Sequence, residues 1–158
     1  MGFRDGDGWV RCACGFTHWG LHGAAGLLLV HHDLTDMRVL LQLRAAWTHG
    51  GGTWALPGGA LDSHEDSVSA AAREAYEEAG ISPEHLDFKA VFSDDHGIWR
   101  YDTVIAHASP GIDAFSENAE SDALRWVSTT EVHEYELHPG LRSSWPSLHR
   151  LLIDTFQA

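Results

Sequence analysis

Residues 59–81, GALDSHEDSVSAAAREAYEEAGI, restrict the fold more than any other stretch of the chain. They set Gly59, Glu65, Arg73, Glu74, Glu77, Glu78 and Gly80 in the spacing G-x5-E-x7-R-E-U-x-E-E-x-G-U, with Ala75 and Ile81 in the apolar slots U. If each residue type occurs about once in fifteen positions, seven matches arise by chance on the order of once in 10⁸ starting points. The segment also reads as a helix on physical grounds alone. Ser63 followed by Asp66 is close to a capping box, and Asp62, Glu65 and Asp66 put negative charge where a helix N-terminus favours it. Val68, Ala72, Ala75 and Ala79 recur at helical spacing, flanked by Ala71, and Gly80 supplies a stop. The expectation is a helix from His64 to Ala79, entered from a Leu56-Pro57-Gly58-Gly59 loop. Its mostly alanine stripe lets it lie close to a sheet.

The acidic residues lie elsewhere on this helix. Glu74 and Glu78 are one turn apart with Glu77 beside them, so the three project within roughly 100° of one another. Like charges about 5 Å apart repel by about 3 kcal/mol per pair at an effective dielectric of about 20. No lysine lies between Gly59 and Ile81 to relieve them. A hard divalent cation would do so, and oxygen-only ligands suit Mg²⁺ or Mn²⁺. A charge run usually means a solvated helix face. Here the glycine loop, Glu65, Arg73 and Gly80 accompany it and argue for a built site.

The segment resembles the Nudix box, the signature of Mg²⁺-dependent hydrolases that cleave nucleoside diphosphates linked to another group, X. The resemblance implies an α/β class domain, the Nudix-type α/β/α sandwich with a mixed β-sheet, over residues 23–158 after an N-terminal arm of residues 1–22. It implies that Glu74, Glu77 and Glu78 carry the metal, aided by a backbone carbonyl at Gly58 in the Gly58-Gly59 turn. Arg73 would orient a neighbouring glutamate and Glu65 would support the loop–helix junction, with Gly59 and Gly80 completing the signature. The proton acceptor is either Glu78 or a glutamate on a later loop, where Glu120 is preferred to Glu117 because it precedes Leu124-Arg125-Trp126-Val127. In many relatives an arginine at the position of Arg44 reaches the substrate phosphates. Trp54 and Tyr101, with Trp47, Phe92 and Trp99, offer rings on which a base can stack.

Relatives that cleave ADP-ribose often carry a proline soon after the box, where this chain has Gly97 and Ile98. Those acting on diadenosine polyphosphates often place a tyrosine nearby, and Tyr101 comes late for that role. The reading is therefore a pyrophosphohydrolase of nucleoside triphosphates, oxidised deoxynucleotides included. The alternatives are hydrolysis of ADP-ribose, dinucleotides or nucleotide sugars, and a sensor that binds nucleotide without cleaving it. Such sensors usually lose box glutamates, whereas this chain keeps all of them. Homodimers are frequent among relatives, and nothing in the sequence identifies an interface.

At 158 residues the chain suits one domain with a sizeable core. Its formal charge of −13 argues against a nucleic-acid polymer as partner but not against a small phosphorylated nucleotide, for which the cation supplies local positive charge. No apolar run is long enough to cross a membrane and the first residues lack a signal peptide's apolar stretch, so a cytoplasmic location is expected. Strands are expected at Ala24 to His32, Met37 to Arg44, Trp54 to Leu56, Leu86 to Ser93, Trp99 to Ala108 and Ala123 to Val127. A short helix is expected at Thr130 to Tyr135 and a terminal one at Ser144 to Phe156, with Ser144 as cap and Pro146 in its first turn. Cys12 and Cys14 are too few and too close for a disulfide framework. With His18 and His22 they make four candidate zinc ligands, but the C-x-C spacing is tighter than the usual C-x2-4-C. The stretch is also too short for the zinc ribbon some Nudix relatives carry, and reduced thiols in a packed arm are the expectation.

Overall fold

The computed structural model describes residues 4–32, 36–47, 51–109 and 121–156. A short hairpin, β1 (Trp9–Arg11) and β2 (Thr17–Trp19), comes first. The central strand β3 (Ala24–His32) then starts with seven consecutive buried residues, as a strand covered on both faces should. It is followed by β4 (Met37–Arg44), β5 (Trp54–Ala55), β6 (Gly58–Ala60) and helix α1 (Ser67–Ala79). The chain continues through β7 (Leu86–Asp95), β8 (Arg100–Ala108), β9 (Ser121–Ser128) and helix α2 (Pro139–Phe156). The main sheet runs β5-β4-β3-β8-β7, with β6 also paired to β3 and β9 to β4. It is mixed, because β3 and β8 are parallel while the other pairs are antiparallel.

Alternation along β3 gives the sheet two different faces. Leu28 and Val30 join Val39, Leu41 and Ile105 beneath Leu141, Trp145, Leu148 and Leu152 of α2. Ala25, Leu27 and Leu29 join Leu40 and Val104 on the other face, beneath Ala70, Ala71, Ala75 and Ala79 of α1. Each fully buried leucine contributes about 1.5–3 kcal/mol relative to exposure. The result is the expected α/β/α sandwich.

Several local expectations are corrected. Helix α1 begins at Ser67, not His64, and its N-cap is Asp66, whose carboxylate accepts from Ser69 N–H at 2.7 Å. Ser63 is engaged by Asp5, which accepts from both its backbone N–H and its hydroxyl. The buried stripe runs through Ala70 and not Ala72, which is half-buried. Helix α2 begins at Pro139, so Pro146 is an interior residue and Pro139 occupies the first position that suits proline. The turn near Tyr135 is a single 3₁₀ turn, Val132–Glu134. The arm contains a hairpin, and β6 runs through the glycine turn read as loop.

Candidate functional site

The alanine stripe of α1 sets the position of its carboxylates. With only methyl groups on its sheet-facing stripe, α1 lies close enough to β3 and β6 for Glu74 and Glu78 to be buried at the seam, at 7% and 2% exposure. The Gly58 N–H donates to Glu78 Oε2 at 2.9 Å. A Cβ on Gly59 would come within 2.7 Å of the Glu74 carboxyl group, and one on Gly58 within 2.5 Å of the Ala25 carbonyl oxygen. Backbone contact thus requires glycine at 58, whereas at 59 glycine leaves the room in which the Glu74 carboxylate sits. Gly80 closes the helix in the left-handed region, φ 69°, with its N–H turned back to Ala75 and Tyr76 carbonyls.

Two arginines hold the acidic edge. Arg73 reaches Glu65 through two bonds, Nε to Oε2 at 2.7 Å and Nη2 to Oε1 at 2.8 Å. It also donates to Glu74 Oε1 at 2.7 Å and the Ala60 carbonyl at 3.1 Å, and approaches Glu77 Oε2 at 3.4 Å. This guanidinium holds the Glu65 carboxyl below the usual carboxylate range, against the opposing effect of burial. Glu65 also accepts from the Asp62 N–H at 2.9 Å, tying the loop to the helix. Arg4 bridges Asp62 Oδ2 at 2.9 Å and Glu77 Oε1 at 2.7 Å, and the hydrogen bond to Asp62 is the main reason its own pKa is raised. Sequence reasoning missed Arg4, because nothing local to residues 1–22 marks it as a partner of residues on α1.

Arg44 ends β4 and Tyr101 lies at the start of β8, at the same end of the sheet with β3 between them. Tyr101 directs its hydroxyl inward so closely that a Cβ on Gly26 would overlap it. Burial raises this phenol's pKa, the nearby charge of Glu78 raises it further, and Arg44 opposes. The three groups therefore share one electrostatic neighbourhood. Trp54 lies in another, edge-on to Tyr135 at 5.4 Å and under the Arg125 guanidinium at 5.3 Å. Phe92 packs against the α2-side core, Trp47 is exposed, and Trp99 stacks on His18. Glu117 and Glu120 lie outside the described residues. A cleft of about 390 Å³ runs along Tyr135, Glu136 and the start of α2, away from the carboxylates.

The residues present fit a divalent cation. Five carboxylates, those of Asp62, Glu65, Glu74, Glu77 and Glu78, gather at this edge around the guanidiniums of Arg4 and Arg73, with Arg44 in the neighbourhood of Glu78. Glu74 and Glu78 are buried, and the glycine turn brings backbone against both. Oxygen donors of this kind suit Mg²⁺, Mn²⁺ or Ca²⁺ better than a thiophilic metal.

A family model described as NUDIX domain matches residues 20–149. A Mycobacterium tuberculosis protein named "Putative 8-oxo-dGTP diphosphatase 3" is 49% identical over 152 residues, covering 91% of this chain and 69% of that protein. A Bifidobacterium longum nucleoside triphosphate pyrophosphatase/Nudix hydrolase fusion protein is 42% identical over 148 residues, 90% of this chain but only 31% of its own length. The crystal structure of RenU, a Nudix hydrolase from M. smegmatis, superposes with a TM-score of 0.87 at 44% identity, covering 94% of this chain and 96% of that one. Together with the sandwich and the glutamate edge, these likenesses make the chain a member of the Nudix hydrolases, pyrophosphohydrolase enzymes that generally use divalent metal cations.

Proposed function

We propose that this chain hydrolyses a phosphoanhydride bond of a nucleoside triphosphate, an oxidised deoxynucleotide included, with Mg²⁺ held by Glu74, Glu77 and Glu78 and the Gly58 carbonyl. The observation that carries the reading is the burial of Glu74 and Glu78 against the Gly58-Gly59 turn, where the added methyl of any other residue would meet the Ala25 backbone or displace the Glu74 carboxylate. The name of the M. tuberculosis relative, an 8-oxo-dGTP diphosphatase, favours a nucleoside triphosphate over other nucleotides.

When bound, Mg²⁺ neutralises phosphate oxygens and lowers the pKa of the attacking water. The chain's own groups do the rest. Water oxygen bonds to phosphorus, the bridging P–O bond breaks, and the products are a nucleoside monophosphate and pyrophosphate. Glu78, oriented by the Gly58 N–H, accepts the water proton, with Glu120 as the other candidate acceptor. Arg73 keeps Glu74 turned toward the glycine turn while Glu65 anchors Arg73 from behind. Arg44 meets the phosphate oxygens, and the ring of Tyr101 or Trp54 takes the base.

The test is product release with Mg²⁺ across nucleoside triphosphates, 8-oxo-dGTP, ADP-ribose, dinucleotides and nucleotide sugars. Monophosphate and pyrophosphate from a triphosphate are expected. Turnover confined to ADP-ribose, dinucleotides or sugars would overturn the substrate class. Tight nucleotide binding without product would identify a sensor.

A further inference from the structure

We propose that Cys12, Cys14, His18 and His96 form a structural zinc site that fastens the N-terminal hairpin to the β7–β8 turn. Their ligand atoms all lie within 4.8 Å of one another, with no other group needed to complete four. Tetrahedral zinc with Zn–S of about 2.3 Å and Zn–N of about 2.0–2.1 Å separates its ligands by roughly 3.3–3.8 Å. Cys14 Sγ is 3.1 Å from His18 Nε2, and Cys12 Sγ is 3.6 Å from His96 Nδ1, so only a small adjustment closes the set. Two thiolates and two imidazoles are the donor set of a structural zinc site and suit Mg²⁺ poorly.

The surroundings are built for such a role. His96 presents Nδ1 to Cys12 while its Nε2 meets Asp94 Oδ2 at 3.0 Å. A carboxylate on the far nitrogen fixes the tautomer and ring orientation that a metal ligand requires. The Cys14 N–H points at Cys12 Sγ, 3.4 Å away, and the chain turns back at Gly15, whose φ of 95° is left-handed. His18 is held flat against Trp99, centroids 4.0 Å apart and planes 11° apart. Trp99 in turn donates from Nε1 to the Trp19 carbonyl at 3.2 Å.

His22, the ligand that sequence spacing offered, is not in the set and sits near Asp5 instead. The fourth ligand comes from a turn far along the chain, which removes the objection that residues 12–22 are too short to hold four spaced ligands. The same arm carries Arg4 to Glu77 and Asp5 to Ser63, so a pin at its far end also steadies the segment lying on α1. Binding releases the thiol protons to solvent, so occupancy falls as pH drops.

The test is elemental analysis of full-length protein purified without added metal, followed by Co²⁺ titration of the stripped protein in excess Mg²⁺. One zinc per chain is expected, and one equivalent of Co²⁺ should give thiolate charge-transfer and tetrahedral d–d bands. Cys14→Ser and His96→Ala should each weaken Co²⁺ binding at least tenfold, whereas His22→Ala and Glu78→Gln should leave the titration unchanged. Cys14 is exposed, so its serine variant tests the ligand set even where His96→Ala folds poorly. Sub-stoichiometric zinc together with no thiolate bands in the wild-type protein would overturn the site. So would a folded Cys14→Ser or His96→Ala variant that titrates like wild type. The Glu78→Gln control separates this outcome from any failure of the phosphoanhydride reading.

Discussion

The two faces of the central sheet are packed with different materials. The sheet offers leucine and valine to both helices, but α2 meets it with Leu141, Trp145, Leu148 and Leu152 whereas α1 meets it with Ala70, Ala71, Ala75 and Ala79. Large side chains bury more apolar area, so the α2 face supplies the greater share of hydrophobic stability. Alanine supplies proximity. It lets α1 approach until Glu74 and Glu78 sit against the Gly58-Gly59 turn, an arrangement a leucine stripe would hold apart. One face stabilises the other's costly gathering of charge.

That division is most sharply tested at Glu78. Glu78→Gln keeps the shape and the hydrogen bond from Gly58 but loses the charge. Turnover should fall about 10²–10⁴-fold, with thermal midpoint and circular dichroism unchanged or slightly improved. A variant that retains most of its rate would break the functional assignment of the α1 face. The same substitution at Glu120 tests the other acceptor: Glu78 also holds the metal, so its loss slows the reaction whichever group takes the proton, and a comparable fall at Glu120 would assign the proton to Glu120.

Leu148→Ala makes the reciprocal change. Leu148 of α2 is fully buried against the sheet, so its truncation should lower stability by about 2–5 kcal/mol, read from urea denaturation. The rate per folded molecule should stay at the wild-type value. A large loss of turnover at unchanged stability would mean that the α2 face also shapes the reacting site.

Most of this division was legible in the sequence. The bounds of β3 follow from its buried apolar run and those of β4 from its alternation after a short turn, and the Gly80 stop follows from the need for a left-handed residue. Errors came where a local signal had a distant competitor. Ser63 reads as a cap until Asp5 takes its hydroxyl, and Pro146 reads as a first-turn proline until Pro139 fills that place. Arg4 on Glu77 and His96 beside Cys12 join residues about 70–85 apart in the chain, which no periodicity can reveal.

Gly59→Ala is a smaller perturbation of the same seam. The added methyl would meet the Glu74 carboxyl group at 2.7 Å, so the carboxylate must turn away. The Mg²⁺ concentration for half-maximal activity should rise about tenfold or more, with maximal rate largely recovered at high Mg²⁺. An unchanged Mg²⁺ requirement would show that Glu74 is not positioned by the turn.

The smallest effect concerns how the acidic face is held rather than what it does. Arg73 lowers the folded-state pKa of Glu65 below its unfolded value, so the pair's contribution is present above the unfolded pKa of about 4.3 and is lost as pH falls through the folded value. Glu65→Gln should therefore be less stable than wild type at neutral pH, and the two should converge in urea midpoint as pH drops below about 4. Other carboxylates titrate in both proteins, so the difference between them isolates Glu65. The Leu148→Ala gap, by contrast, should hold constant over the same range, because no charge is involved. If the Glu65→Gln gap were equally flat, the Glu65–Arg73 pair would act through shape alone, and the electrostatic contrast between the two faces would be confined to Glu74, Glu77 and Glu78.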